Sequence, residues 1–205
     1  MKFFSPDSKF AQTMTSLGEM MLLNLCWILA SLPLVTIGAA NVAMYTVMGR
    51  RLREEGSGTI VPFFKAWWKN LKMGTVFWIA QVFISFSLIL TFFLTLPVFF
   101  KVISAIFLIL VTLVFSTIYP QIARFRNRWF PYLRNAVILL VLRAGWVLLN
   151  LALFLLPVVL FLLFPIDFLQ FGFLWILVGF STLFFLSSEI MQKVLQPLED
   201  LSPKK

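Results

Sequence analysis

The sequence predicts an all-α fold, a polytopic transmembrane bundle of about five spans, and three observations predict it. Of the 205 residues, 61% are hydrophobic and only 12% charged, about half the charged share of an average soluble domain. A water-soluble core of this size cannot hide so much apolar area, whereas lipid accepts it. Four apolar runs, about Val76–Phe100, Val102–Tyr119, Ala136–Phe164 and Phe168–Ser188, each hold 18 residues or more, enough helix to cross the hydrocarbon at about 1.5 Å per residue. None alternates polar with apolar residues as barrel strands do, and backbone groups in lipid must be satisfied within their own segment, so each run reads as a helix.

The first apolar segment, about Met20–Met48, is too long for one straight span and contains Pro33 and Gly38. Proline removes a helical hydrogen bond and glycine loosens the backbone, so a break is expected between them. Two forms satisfy this: a single kinked span, which is the preferred reading, or a re-entrant hairpin of two half-helices that must be buried in protein. Residues 1–205 read as one integral membrane domain, and Met1–Gly18 is too polar to begin a cleavable signal peptide.

Charge sets the orientation. Arg50, Arg51, Arg53, Lys65, Lys69 and Lys72 lie between the first two apolar segments, and Arg124, Arg126, Arg128 and Arg134 between the third and fourth. Lys193, Lys204 and Lys205 follow the last, whereas the opposite connections hold only Lys101 and Asp167. By the positive-inside rule the basic loops and the C-terminus are cytoplasmic. The N-terminus is outside for a kinked span and inside for a hairpin. The net charge of +9 therefore points to anionic lipid headgroups, not to nucleic acid.

Phe63, Phe64, Trp67, Trp68 and Leu71 recur at helical spacing, with Lys65, Lys69 and Lys72 opposite them. That pattern predicts a cytoplasmic amphipathic helix lying in the headgroup layer, as an anchor or as a docking helix for a partner. Arg143 falls about eight residues past Asn135 inside the Ala136–Phe164 run, roughly 12 Å deep. A charge there must face protein, water or the near interface, and Glu189 is its expected ion-pair partner. Asn24, Thr36, Asn41, Gln81 and Asn150 are the other intramembrane polar side chains, too few for an independent solute path. Together with Pro33, Gly38, Ala39, Ala40 and Ala43, Asn24 and Thr36 mark the first segment as a packing seam, within the chain or against another subunit.

Catalysis finds little support. The chain has no histidine and one cysteine, Cys26, so the commonest general base is absent and no internal disulfide forms. Its eight acids are not spaced as a carboxylate pair or a metal motif, and no G-x-x-x-x-G-K-[ST] phosphate loop occurs. No enzyme activity, cofactor or metal is expected.

One resemblance rests on particular residues. Asn24-Leu25-Cys26-Trp27 leads into Leu32-Pro33-Leu34-Val35-Thr36-Ile37-Gly38-Ala39-Ala40 and Ala43-Met44-Tyr45. Phe63-Phe64-Lys65-Ala66-Trp67-Trp68-Lys69-Asn70-Leu71-Lys72-Met73-Gly74 follows, and later Tyr119-Pro120-Gln121-Ile122-Ala123-Arg124-Phe125. These stretches resemble the YesL family of bacterial membrane proteins, over about residues 1–140. The resemblance implies about five spans, a bacterial cell membrane and no catalytic residues. Genes of that family often lie beside sugar-binding ABC importers and glycoside hydrolases. It therefore implies an accessory subunit or regulator of a carbohydrate ABC importer, with the importer's permease subunits as partners. The alternative is an independent channel or small-solute carrier. The EAA-type loop of the permeases themselves is missing.

Overall fold

The computed structural model describes residues 9–55 and 58–200, and among these every regular element is a helix. Lys2, Asp7, Gly56, Ser57, Lys204 and Lys205 lie outside the described residues. Helix α1 is Lys9–Ser31, α2 Ile37–Leu52, α3 Ile60–Phe93, α4 Val98–Arg124 and α5 Trp129–Leu142. Then come α6 Ala144–Leu163, α7 Pro165–Gln170, the short α8 Gly172–Leu174, a π-helical turn Trp175–Gly179, and α9 Phe180–Asp200. Five helical stretches are long and apolar enough to cross a membrane: Phe10–Ser31, Ile60–Phe93, Val98–Arg124, Ala144–Leu163 and Gly172–Glu199. The protein is an all-α polytopic bundle.

The first segment breaks where its proline stands, but it does not kink. It reverses. Leu32 precedes a proline and is disfavoured in a helix, and Pro33 is extended (φ −77°, ψ 95°) ahead of a 3-10 turn, Leu34–Thr36. The Thr36 hydroxyl lies 2.7 Å from the Ala30 carbonyl oxygen and 2.8 Å from that of Pro33, within the turn. Beyond it, α2 runs back along α1. The Trp27 indole N–H donates to Asn41 Oδ1 at 3.0 Å, and Arg51 pairs with Glu19 at 3.1 Å and also meets Ser16. A kinked span would hold Glu19 and Arg51, 32 residues apart, at opposite ends, about 48 Å from each other. The kinked-span expectation is therefore replaced by the hairpin, and the start of α1 shares a side with the end of α2.

Small residues explain the return. In membranes, helices associate where small side chains let backbones approach. Gly38, Ala39, Ala40 and Ala43 are buried on α2, and Gly38 and Ala39 meet Gly74 of α3. A Cβ added to Gly74 of α3 would stand 2.6 Å from Ala39 Cα, and one added to Gly38 would stand 2.6 Å from Trp78 Cβ. Helix α3 continues about 22 Å beyond Trp78 to Phe93. The hairpin therefore turns within the depth of the bundle, but its tip is not covered by protein as expected of a re-entrant form: Leu32, Pro33 and Leu34 are exposed.

Two further expectations change. The amphipathic stretch around Phe63–Met73 is helical, but it is the beginning of the 34-residue α3 and not a helix set apart from the span. No helix breaker stands between Met73 and Val76, and Gly74 is held by packing, so the hydrogen-bond ladder continues. Its apolar residues also do not share one face. Phe63 is fully buried and Trp67 half-buried, while Phe64 and Trp68 point outward with Lys65 and Lys69.

The long Ala136–Phe164 run divides at Arg143, which has φ −131° and ψ 32° and separates α5 from α6. The 14 residues of α5 reach about 21 Å, too short to cross. The break puts the arginine at a helix end. One turn on, the Trp146 ring lies under Lys193 Nζ, 4.3 Å from the ring centroid, so this end of α6 adjoins the charged part of α9. Arg143 is thus not deep inside a span, and Glu189 is exposed. Among the described residues neither forms an ion pair. The pairs that do form are Arg51–Glu19, Arg53–Glu55 and Arg124–Glu199. The hydrogen-bonded Arg53 guanidinium holds the Glu55 carboxyl below the usual carboxylate range.

Close packing of α2 on α3 has a measurable consequence. Gly38→Ala or Gly74→Ala should cost about 1–3 kcal/mol by overpacking, read as a lower melting temperature in detergent. Gly145→Ala, where an added Cβ meets nothing within 4 Å, should be neutral or stabilise by up to about 1 kcal/mol.

Candidate functional site

The interior of the bundle is richer in polar groups than the five intramembrane residues singled out from the sequence suggest. Asn41 and Tyr45 sit one turn apart on α2, Trp78 and Gln81 on α3, and Thr112, Ser116 and Tyr119 on α4. With Leu151 and Phe154 of α6 and Phe184 of α9 they line a cavity of about 190 Å³. The cavity gathers more polar side chains than the sequence leads one to expect in the interior. Polar side chains at helical spacing within greasy runs converge once the helices pack, and no single run displays that.

Hydrogen bonds order these walls. Tyr119 donates to Gln81 Oε1 at 2.6 Å. Ser187 gives its proton to Asn150 Oδ1 at 2.5 Å, so Tyr45, 2.7 Å from the same hydroxyl, is the donor to it. The chain Tyr45–Ser187–Asn150 joins α2, α9 and α6. Aromatic rings close the rest: Tyr45 meets Phe184 at 5.1 Å and Phe154 meets Phe184 at 5.5 Å between centroids, both edge-on.

Tyr45 also lines a second cavity of about 50 Å³ that leads to the charged end of the bundle, bounded by Ser188, Gln192, Arg124 and Glu199. Arg124 and Glu199 bridge there at 2.7 Å. Ser188 Oγ and Gln192 Nε2, whose residues line the smaller cavity, are buried without a partner among the described residues, as are Asn150 Nδ2 and both amide atoms of Gln121. Buried polar atoms are normally satisfied, so Ser188 and Gln192 are free to bond a small polar guest in the smaller cavity. No Asp, Glu, Lys or Arg lines the larger cavity. Its aromatic faces, hydroxyls and amides suit an uncharged polar molecule.

The residues expected at a packing or partner seam take different roles. Asn24 is fully buried: its amide donates to the carbonyls of Trp175 (3.0 Å) and Ile176 (2.5 Å), and its Oδ1 accepts from Ser181 N–H at 2.8 Å. A π-helical turn frees backbone groups from the regular ladder, and Asn24 reaches across from α1 to bind three of them. Gly38, Ala39 and Ala43 are covered by this chain's own helices, while Pro33 is exposed at the hairpin tip. Thr36 bonds within the turn. Tyr45, Ser187, Thr112, Ser116 and Tyr119 were not picked out as site residues. The i, i+4, i+7 spacing of Thr112, Ser116 and Tyr119 was the available signal.

A family model described as "Protein of unknown function, DUF624" matches residues 20–93, from the middle of α1 to the end of α3. The protein is thus similar to that family over the hairpin and the helix it packs against. No curated protein and no solved structure matches the chain.

Asn24→Ala should lower stability by about 1–3 kcal/mol, because it strips three bonds from a buried turn. Ser87→Ala, whose hydroxyl bonds only back to Phe83 on an exposed face, should change it by less than about 0.5 kcal/mol. Unfolding in mixed micelles compares the two.

Proposed function

We propose that this protein is a non-catalytic subunit or regulator associated with a bacterial carbohydrate ABC importer. The observation that carries the reading is the chemistry of the inner cavity: aromatic faces with hydroxyl and amide groups and no charge, the combination that suits neutral polyhydroxylated solutes. The resemblance of residues 1–140 to the YesL family, with its gene neighbours among sugar importers and glycoside hydrolases, supports the same class. Ion or proton transport is disfavoured, because a proton relay needs a carboxylate at mid-membrane. Enzyme activity is disfavoured too, since the cavity holds no nucleophile paired with a base.

In this reading the protein lies in the cell membrane with the α2–α3 connection, the α4–α5 loop and the C-terminus in the cytoplasm, as the positive-inside rule requires. The Arg51–Glu19 pair carries the start of α1 to the same side. Helices α3, α4, α6 and α9 then cross the bilayer, and α1–α2 enters and returns.

Affinity purification of the tagged protein in mild detergent tests the association. Permease and ATPase subunits of a sugar importer should co-purify in defined stoichiometry, and recovery of the chain alone contradicts the reading. A second reading, a small-solute carrier, is favoured by one observation, that Tyr45 stands between two cavities. Liposomes holding only this protein should pass no neutral sugar. Flux that Tyr45→Phe or Trp78→Ala changes would establish the carrier instead.

A further inference from the structure

A cleft of about 570 Å³ opens between α2, α3, the end of α4 and the α4–α5 loop. Five cationic side chains line it: Arg50, Lys65, Lys69, Arg124 and Arg126. No carboxylate lines it. Arg124 pairs with Glu199, and Glu55 lies near enough to act on Arg50 and Arg124, whereas Lys65, Lys69 and Arg126 form no ion pair among the described residues. Scattered basic residues on a cytoplasmic face need no explanation beyond orientation. Here, however, α2, α3, α4 and a loop each contribute, and the loop is held in place. The Tyr132 hydroxyl donates to the Phe125 carbonyl at 2.8 Å and accepts the Asn127 N–H at 3.0 Å, which fixes the backbone on both sides of Arg126. Like charges so gathered repel unless an anion joins them.

The depth of the cleft names the source of that anion. Lys65 and Lys69 lie on α3 just before the apolar stretch that begins near Val76. Phe64 and Trp68, exposed on the same turns, have the aromatic character found at the membrane–water boundary. A phosphodiester in the cytoplasmic leaflet sits at that level. The volume falls in the range of sites that enclose a small ligand, enough for a glycerophosphate headgroup whose acyl chains remain in the bilayer.

We infer that the Arg50–Lys65–Lys69–Arg124–Arg126 cleft is a binding site for the phosphate headgroup of an anionic phospholipid of the cytoplasmic leaflet. The site is independent of the inner cavity and does not rest on a role in sugar uptake. Lysines 65 and 69 are exposed and reach the phosphate as point charges. Arg126, held by its loop, offers a planar fork to two phosphate oxygens.

The full-length protein in mild detergent, titrated with phosphatidylglycerol and followed by native mass spectrometry, tests the site. Saturable retention is expected for phosphatidylglycerol and not for phosphatidylcholine. Lys69→Gln with Arg126→Gln should weaken it roughly 25-fold, about fivefold per charge near a membrane surface. Lys72→Gln, a lysine of the same helix outside the cleft, should leave it unchanged. Lys65→Gln with Lys69→Gln provides a second variant with exposed side chains only, and an unaltered melting temperature in phosphatidylcholine establishes its fold. Equal weakening by Lys72→Gln, or no preference for phosphatidylglycerol, overturns the site. Equivalent saturable retention of inorganic phosphate, lost in the same variants, overturns its assignment to lipid.

Discussion

Everything in this bundle leans on the close approach of α2 to α3, where Gly38 and Ala39 meet Gly74. Inside a membrane no hydrophobic force drives helices together, since lipid tails are as apolar as leucine. What remains is contact between atoms, and contact needs backbones near each other. The two glycines and the alanines of α2 provide that nearness. Because α2 docks there, the chain can reverse at Pro33, return through Arg51 to Glu19, and begin α3 on the side where α1 began.

The same docking decides where polar groups end up. Asn41 and Tyr45 lie on the α2 stretch that follows Gly38, so seating α2 on α3 brings them to Trp78 and Gln81 and opens the inner cavity among α4, α6 and α9. Charges are sorted the other way. Arg50, Arg51, Arg53, Arg124 and Glu199 collect at one end of the bundle, and the break at Arg143 keeps that residue at a helix end. A neutral polar interior above a basic face is the physical character of the molecule. The two functional readings address these two regions separately.

Much of this was legible in the residues. Apolar runs of helix-spanning length announced the membrane, and the basic loops all fall to one side. Pro33 located the break in the first segment. Its sharpness was not legible, since a proline permits a kink or a reversal, and the choice is made by contacts between residues tens of positions apart, such as Trp27 with Asn41. The continuity of α3 was hidden for a different reason. Amphipathic patterning reports which face is wet, and Phe63 and Phe64 show that adjacent aromatics can divide between core and surface. Arg143 fooled a count of hydropathy, because averaging over Ala136–Phe164 conceals one charge that ends a helix. The cavity could not be seen at all before α2, α4, α6 and α9 were brought together.

The reversal at Pro33 is the claim on which the rest stands, and cysteine accessibility tests it most directly. Cys26 is the chain's one cysteine, so a Cys26→Ser background is silent. In it, Gln12→Cys near the start of α1 and Lys65→Cys near the start of α3 are each offered a membrane-impermeant maleimide, in intact cells and in inverted vesicles. The hairpin requires both to react from the same side, and in the orientation proposed above both stay unlabelled in cells and react in inverted vesicles. Reaction of Gln12→Cys in intact cells, with Lys65→Cys reacting only in inverted vesicles, would place α1 across the membrane from α3 and contradict the account.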